Sequence, residues 1–218
     1  MQAHTTLDRL SEGPIHLHRH CSAYATIVRS GEYVEAAIDG QVRITPATLV
    51  VHPVYHLHSD HVFEAGEVWN VELADLEPKT WRVLKGAGVE RLAHAERKPH
   101  TEEVLSLLEE AEPIEAEPLP AWLSDFAALS VTAFSDAQDE VSREHAHRTF
   151  KRHFGMSPGR YRRERHLQAA LGMIRAGASL AETAVAAGFS DQSHMTRVMK
   201  RELALTPGEM QRQITPVQ

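Results

Sequence analysis

Imidazole is the side chain most often used to hold a transition metal, and this chain gathers it in two short stretches. The first is "HLHRH", with His16, His18 and His20 at alternate positions; the second is "HPVYHLHSDH", with His52, His56, His58 and His61. Ten of the fifteen histidines precede residue 121. Residues two apart in a strand share a face. His16, His18 and His20 are therefore expected on one side of one strand, and His52, His56 and His58 on one side of another. A His-x-His pair offers two nitrogens to one ion, and an all-imidazole set favours zinc, iron, nickel or copper over magnesium or calcium. The same rings also suit a pocket for an organic effector without metal, or a purely structural role, and the residues alone leave all three open. Cys21 is the single cysteine, which rules out an intrachain disulfide and a cysteine-based zinc site.

A second set of chemistry-bearing residues recurs along the chain. "RTFKRHFGMSPGRYRR" (148–163) aligns without a gap on "RVMKRELALTPGEMQR" (197–212), at an offset of 49. Arg148, Lys151, Arg152, Pro158, Gly159 and Arg163 recur as Arg197, Lys200, Arg201, Pro207, Gly208 and Arg212, and His145 recurs as His194. Ala146, Thr149, Phe150 and Phe154 correspond to Met195, Val198, Met199 and Leu203, a spacing that lines one side of a helix. The opposite faces then carry Glu144, His147, Arg148 and Lys151 in one copy, and Ser193, Thr196, Arg197 and Lys200, with Gln192 near the start, in the other. Arginine bonds guanine bidentately, glutamine does so with adenine, and serine and threonine serve either base or a phosphate. Arg152, Lys200 and Arg201 stand where phosphate clamps would, setting affinity rather than sequence preference.

The elements that must position these residues follow from local signals. Ahead of the second copy, Ser179 is expected to cap a short helix, Gly188 to end it with a positive φ, and Ser190 or Asp191 to cap the next. Two helices joined by a short glycine-containing turn are a helix-turn-helix. "YRRERHLQAALGMIRAG" reads as one helix of roughly 16 residues, about 24 Å long, shorter than but comparable with the duplex pitch of about 34 Å. The first hundred residues read as strands: "IHLHRH", "YATIVRS", two runs flanking Asp39-Gly40 as a tight hairpin, "ATLVVHP" and "EVWNVELADL". Such short strands suggest a sandwich or a small barrel; "TEEVLSLLEEAE" (101–112) then switches to a helical period, and its stripe of Val104, Leu105, Leu107, Leu108 and Ala111 is expected either to cover that β domain or to pair with a second chain. "PIEAEPLP" reads as a linker.

Charge divides the chain as the periods do. Residues 1–120 hold 10 Lys+Arg against 20 Asp+Glu, and residues 121–218 hold 13 against 10, within an overall net charge of −7. Halves of opposite sign suggest domains with different partners. No apolar run is long enough to cross a bilayer. The first residues lack a signal-peptide pattern, so a cytoplasmic location is expected.

On the repeated motifs, the segment from about 121 to 212 resembles the DNA-binding domain of the AraC family of bacterial transcription regulators. "GFSDQSHMTRVMKRELALTP" is similar to that family's second helix-turn-helix signature, and "RTFKRHFGMSPGRYRRERHLQAA" to the end of its first unit plus the linker helix. The resemblance implies that Arg143, Glu144, His147 and Arg148 read one major-groove segment, and Gln192, Ser193, His194, Thr196 and Arg197 the next, with Lys151, Arg152, Lys200 and Arg201 among the DNA-binding residues. This chain departs from the family at Leu203-Ala204 (usually Phe-Gly), at Met210-Gln211 (usually Tyr-Arg), and in the first turn, where Asp139 and Glu140 stand and Val131, Phe134 and Val141 fall about one residue out of frame.

Residues 12–75, on His18-x-His20, the Asp39-Gly40 hairpin and "PVYHLH", resemble a cupin, the small barrel that serves many such regulators as a sensor. The cupin metal pattern implies His18, His20 and His58 as ligands of a zinc, iron or nickel ion. Tyr24 stands at the usual glutamate position, with Glu32, Glu35 or His56 as substitutes. The expected fold is therefore α+β in two domains. A cupin-like sensor barrel (1–95) and a helix with a Pro/Glu-rich linker (96–120) precede an all-α, homeodomain-like tandem helix-turn-helix domain (121–218). The expected function is a sequence-specific DNA-binding transcription regulator, not an enzyme, whose barrel senses a small molecule or a metal. The alternative is a metal-dependent cupin enzyme with an accessory helical domain. Double-stranded DNA and the effector are the implied partners, with RNA polymerase and a homodimer partner as further expectations and no membrane.

Overall fold

The computed structural model describes residues 4–73, 78–123 and 142–214. The chain forms two compact units, a β-rich one over residues 1–118 and a helical one over most of the remainder. The strands are β1 (Thr5–Leu10), β2 (Gly13–Arg19), β3 (Tyr24–Val28), β4 (Glu32–Ala37), β5 (Gly40–Ile44), β6 (Leu49–His52), β7 (Leu57–Glu64), β8 (Gly66–Glu72), β9 (Arg82–Lys85) and β10 (Glu112–Pro113). They make two antiparallel sheets, a six-stranded one in the order β1-β8-β3-β6-β9-β10 and a four-stranded one in the order β2-β7-β4-β5. The strands thus form two separate sheets rather than one hydrogen-bonded ring.

Side-chain parity explains the packing. From β3, β6, β8 and β9, Val28, Val50, Val68 and Val83 meet Tyr33, Val42, Ile44 and Val62 of the four-stranded sheet in one core. Their neighbours Ala25, Ile27, Leu49, Val51, Trp69, Val71 and Leu84 point the other way, into a second core. That second core is closed by α1 (Ala87–Ala93) and α2 (Thr101–Glu110) through Val89, Val104 and Leu107. With apolar neighbours on both faces, the central strands of the larger sheet read as largely apolar runs such as "YATIV" and "LVVH". Leu105, Leu108 and Ala111 also pack on this core, so the α2 stripe covers the sheet of its own chain.

The hairpin at Asp39-Gly40 is present. Ala37 pairs with Gly40 across the turn, and Gly40 has φ of 123°. The proline-rich segment is stitched to the sheet as far as residue 117: β10 pairs with β9, and the Ile114 and Glu117 amides donate to the Val83 and Gln41 carbonyls at 2.7 and 2.9 Å. Its prolines interrupt pairing but leave the intervening amides free to donate.

In the helical unit, α3 (Arg143–Phe154), α4 (Pro158–Arg175), α5 (Leu180–Ala186), α6 (Gln192–Leu203) and α7 (Pro207–Ile214) follow one another. The expected caps form. Ser157 and Ser179 accept from the Arg160 and Glu182 amides, each at 3.3 Å. Gly188 has φ of 82°, and the Asp191 carboxylate accepts from the His194 amide at 2.6 Å. Pro158 opens the 18-residue α4, where a missing amide costs nothing. After α6 the chain turns left-handed at Ala204, with φ of 60°, in the place where glycine is usual. The first unit's turn, with Asp139 and Glu140, and Val131, Phe134 and Val141 lie outside the described residues.

Candidate functional site

The space between the two sheets narrows to a cavity of about 170 Å³, and its polar lining follows from strand parity. On the four-stranded sheet Glu35 pairs with Asp60, Tyr33 with Val62, and Ala37 with His58. Glu35, His58 and Asp60 therefore face the cavity beside apolar neighbours, and Tyr24, Thr26, His52 and Asn70 meet them from the larger sheet. The Thr26 hydroxyl donates to Asn70 Oδ1 at 2.7 Å.

His18, His20 and His58, the set that the cupin resemblance implies, lie together. Their ring centroids lie 4.3, 5.0 and 5.7 Å apart, and one ligand atom from each lies within 4.8 Å of the others. His16 does not join them. A register shift between Ile15 and His18 on β2 breaks the strict alternation, and His16 is exposed. Nor do His52, His56 and His58 share a strand. His52 ends β6, His56 sits in the following turn, and His58 lies on β7.

The turn brings His56 inward through Tyr55, which has φ of 63°, a conformation that costs a non-glycine residue on the order of 1–3 kcal/mol. The Tyr55 amide donates to the His20 carbonyl at 3.0 Å, and Arg19 Nη1 donates to the Tyr55 carbonyl at 2.8 Å. The end of β2 and this turn are thereby clipped together.

A second group results. Glu35, His52, His56 and His58 are all buried, again with one ligand atom from each within 4.8 Å of the others. Both Glu35 oxygens lie on His52 Nε2, at 3.0 and 3.1 Å. Tyr24 stacks on the His52 ring at 4.2 Å and places its hydroxyl 3.3 Å from His58 Nε2, so the residue at the usual glutamate position contacts an imidazole instead. Trp81 stacks on His56 at 5.9 Å. Burial pushes the His58 imidazole down to about 2 and lowers His52 and His56 well below the ordinary histidine range. Neutral imidazole is the form that binds a metal. Burial raises Glu35, and burial followed by the Glu35 charge raises Asp60 to about 8. Two facing acids, one buried and one half-buried, resist holding two negative charges. Asp60 escapes a motif search because only the cross-strand register reveals it.

On the helical unit, Glu144, His147, Arg148, Lys151 and Arg152 of α3 are exposed, as are Gln192, Ser193, Arg197, Lys200 and Arg201 of α6. Arg143 opens α3. His194 and Thr196 are half-buried. The His194 ring lies edge-on to Phe189 with Nδ1 3.2 Å from the Ser190 hydroxyl, and the Thr196 hydroxyl donates to the Gln192 carbonyl at 2.9 Å. Glu144 lies 3.7 Å from Arg148. The near-buried Glu202 holds Arg201 at 3.0 Å, Arg160 at 2.8 Å and Arg163 at 3.8 Å. The apolar sides behave as the repeat predicts: Met195, Val198, Met199 and Leu203 are buried in α6, and Phe150 and Phe154 in α3.

These features define a two-unit protein with a polar, histidine-lined β cavity and a helical part presenting outward basic faces. Residues 139–213 match the family described as a helix-turn-helix domain. The HTH-type transcriptional activator RhaS of Escherichia fergusonii is 33% identical over 95 residues, which make up 42% of this chain and 34% of that protein. The match thus spans about a third of the relative's length. Among solved structures, ToxT from Vibrio cholerae aligns over 99% of this chain and 100% of its own, at 11% identity and a TM-score of 0.41. A cupin superfamily protein from Desulfitobacterium hafniense aligns over 34% of this chain and 69% of its own, at 15% identity and a TM-score of 0.31. Over residues 139–213 the chain is thus similar to a helix-turn-helix domain.

Proposed function

We propose that the chain is a sequence-specific DNA-binding transcription regulator whose β cavity receives the effector, a small molecule or a transition metal. The observation that carries this reading is the pair of helices, α3 and α6, repeated at an offset of 49. Each buries its apolar side and leaves a polar, basic side in solvent, Arg148 and Lys151 on one and Gln192, Arg197 and Lys200 on the other. Exposed arginine and glutamine on a capped helix suit base edges in the major groove, and the flanking Lys151, Arg152, Lys200 and Arg201 suit the phosphates. Arg143, Glu144, His147, Ser193, His194 and Thr196 complete the proposed contact set. In the cavity, His18, His20 and His58 are the residues that would hold a zinc, iron or nickel ion at the mouth. Their rings suit such an ion and equally suit hydrogen bonds to an organic effector. Cytoplasmic DNA, and through it RNA polymerase or a second copy of the chain, are the partners this reading adds.

The test is a gel shift of the full chain on its upstream promoter DNA, repeated over a salt series. Affinity falls steeply with salt. Arg148→Ala and Arg197→Ala each lose about 1–3 kcal/mol on the preferred site and less on unrelated DNA. Equal binding by wild type and both variants sinks the assignment.

A further inference from the structure

We propose that the β cavity contains an interior metal site formed by Glu35, His52, His56 and His58, distinct from the His18–His20–His58 group at its mouth. The inference rests on the reading of this cavity as an effector site and moves the ion from the mouth group to the interior one.

Four observations carry it. The interior group is buried throughout, whereas at the mouth His20 is exposed and His18 only half-buried. It supplies three imidazoles and a carboxylate; the mouth supplies three imidazoles, with Tyr24 where a carboxylate would stand. Both nitrogens of His56, and the Nδ1 atoms of His52 and His58, are buried with no hydrogen-bond partner among the described residues. A buried polar atom without a partner costs about 1–3 kcal/mol, and four such nitrogens on three neighbouring rings are the expected signature of a ligand-binding cluster. The rings are also held. Tyr24 stacks on His52, Trp81 stacks on His56, and the left-handed Tyr55 turns His56 inward. Outer contacts that orient ligating imidazoles are what a metal centre requires. Imidazole nitrogen with one carboxylate selects a borderline ion such as zinc over magnesium or calcium. His58 belongs to both groups.

The experiment strips the full chain with a chelator, returns Zn²⁺, and measures stoichiometry and affinity by competition with a chromophoric chelator. The variants are His56→Gln, in the interior group alone, His20→Gln, in the mouth group alone, and His61→Gln as a surface control. One ion per chain is expected, with affinity falling at least roughly tenfold in His56→Gln and changing by less than about threefold in His20→Gln, against roughly tenfold for a lost orienting contact. Because a buried substitution can unfold the domain, the wild-type chain supplies a second readout. Histidine side-chain ¹⁵N shifts on adding Zn²⁺ are expected to move for three rings other than those that vanish in His18→Asn and His20→Gln. Loss of binding in His20→Gln with retention in His56→Gln overturns the proposal, as does equal loss in both, shifts confined to His18 and His20, or no Zn²⁺ bound by wild type. None of these outcomes touches the gel shift, so the DNA-binding reading stands or falls separately.

Discussion

Glu202 joins the second proposed reading helix to the long helix that precedes it, and replacing it with glutamine tests that joint. Its carboxylate is 8% exposed and meets Arg160 of α4 at 2.8 Å, where the arginine is 28% exposed. Arg201 at 3.0 Å is 59% exposed, and Arg163 at 3.8 Å is 44% exposed. Water screens the last two, and each is worth no more than about 0–1 kcal/mol. The shielded Arg160 contact dominates, at about 1.5–2 kcal/mol for a hydrogen bond to a charged group. Glutamine keeps the volume and one acceptor but loses the charge, so Glu202→Gln is expected to cost about 2 kcal/mol in total. For a domain of this size that lowers the melting temperature by roughly 8–16 °C. Circular dichroism melts of wild type, Glu202→Gln, Arg160→Met and the double variant form a cycle whose expected coupling is about 1–1.5 kcal/mol. A coupling below about 0.5 kcal/mol, or a larger one with Arg201→Met in place of Arg160→Met, would refute the assignment of the stabilisation to the α4–α6 contact.

Two further outcomes follow from local geometry. Ala204→Gly relieves a left-handed alanine with φ of 60° and is expected to raise stability by about 1 kcal/mol in a urea titration; no gain would mean that the strain is absorbed elsewhere. Glu103 accepts from Arg97 and from the His100 amide at the start of α2, and these bonds hold its carboxyl down at about 2. A depressed carboxylate stabilises the fold above its ordinary value and loses that contribution as pH falls toward the folded one. Urea midpoints measured from pH 5 to pH 2.5 are expected to fall more steeply for wild type than for Glu103→Gln.

What the sequence disclosed was local. Ser179, Gly188 and Asp191 announced their turns because capping is a matter of three or four neighbouring residues, and Asp39-Gly40 did the same for its hairpin. The α6 face was legible from Met195, Val198, Met199 and Leu203 because helical periodicity survives without knowledge of what the helix packs against. The set of His18, His20 and His58 came from the cupin resemblance, and the assumption of alternation misplaced His16, since a bulge between Ile15 and His18 is invisible in composition. The interior of the cavity was the least readable. Glu35 meets His52 from the opposite sheet, Asp60 faces Glu35 only through the β4–β7 register, and His56 depends on a left-handed tyrosine that no propensity favours. β1 and α1 were missed, "TTLDRL" for its polar residues and "AGVERLA" for its brevity. The proline-rich segment concealed a strand edge because its pairing lies in the amides between the prolines.

The uninterrupted α4 makes spacing between the two repeated motifs an angular quantity. Each residue inserted into or deleted from its 18 swings everything downstream through about 100° while adding or removing only about 1.5 Å. Changes of chain length in that rod are therefore quantised. One residue points α6 away from its former bearing, whereas seven return it almost to its starting azimuth, about 10 Å farther along.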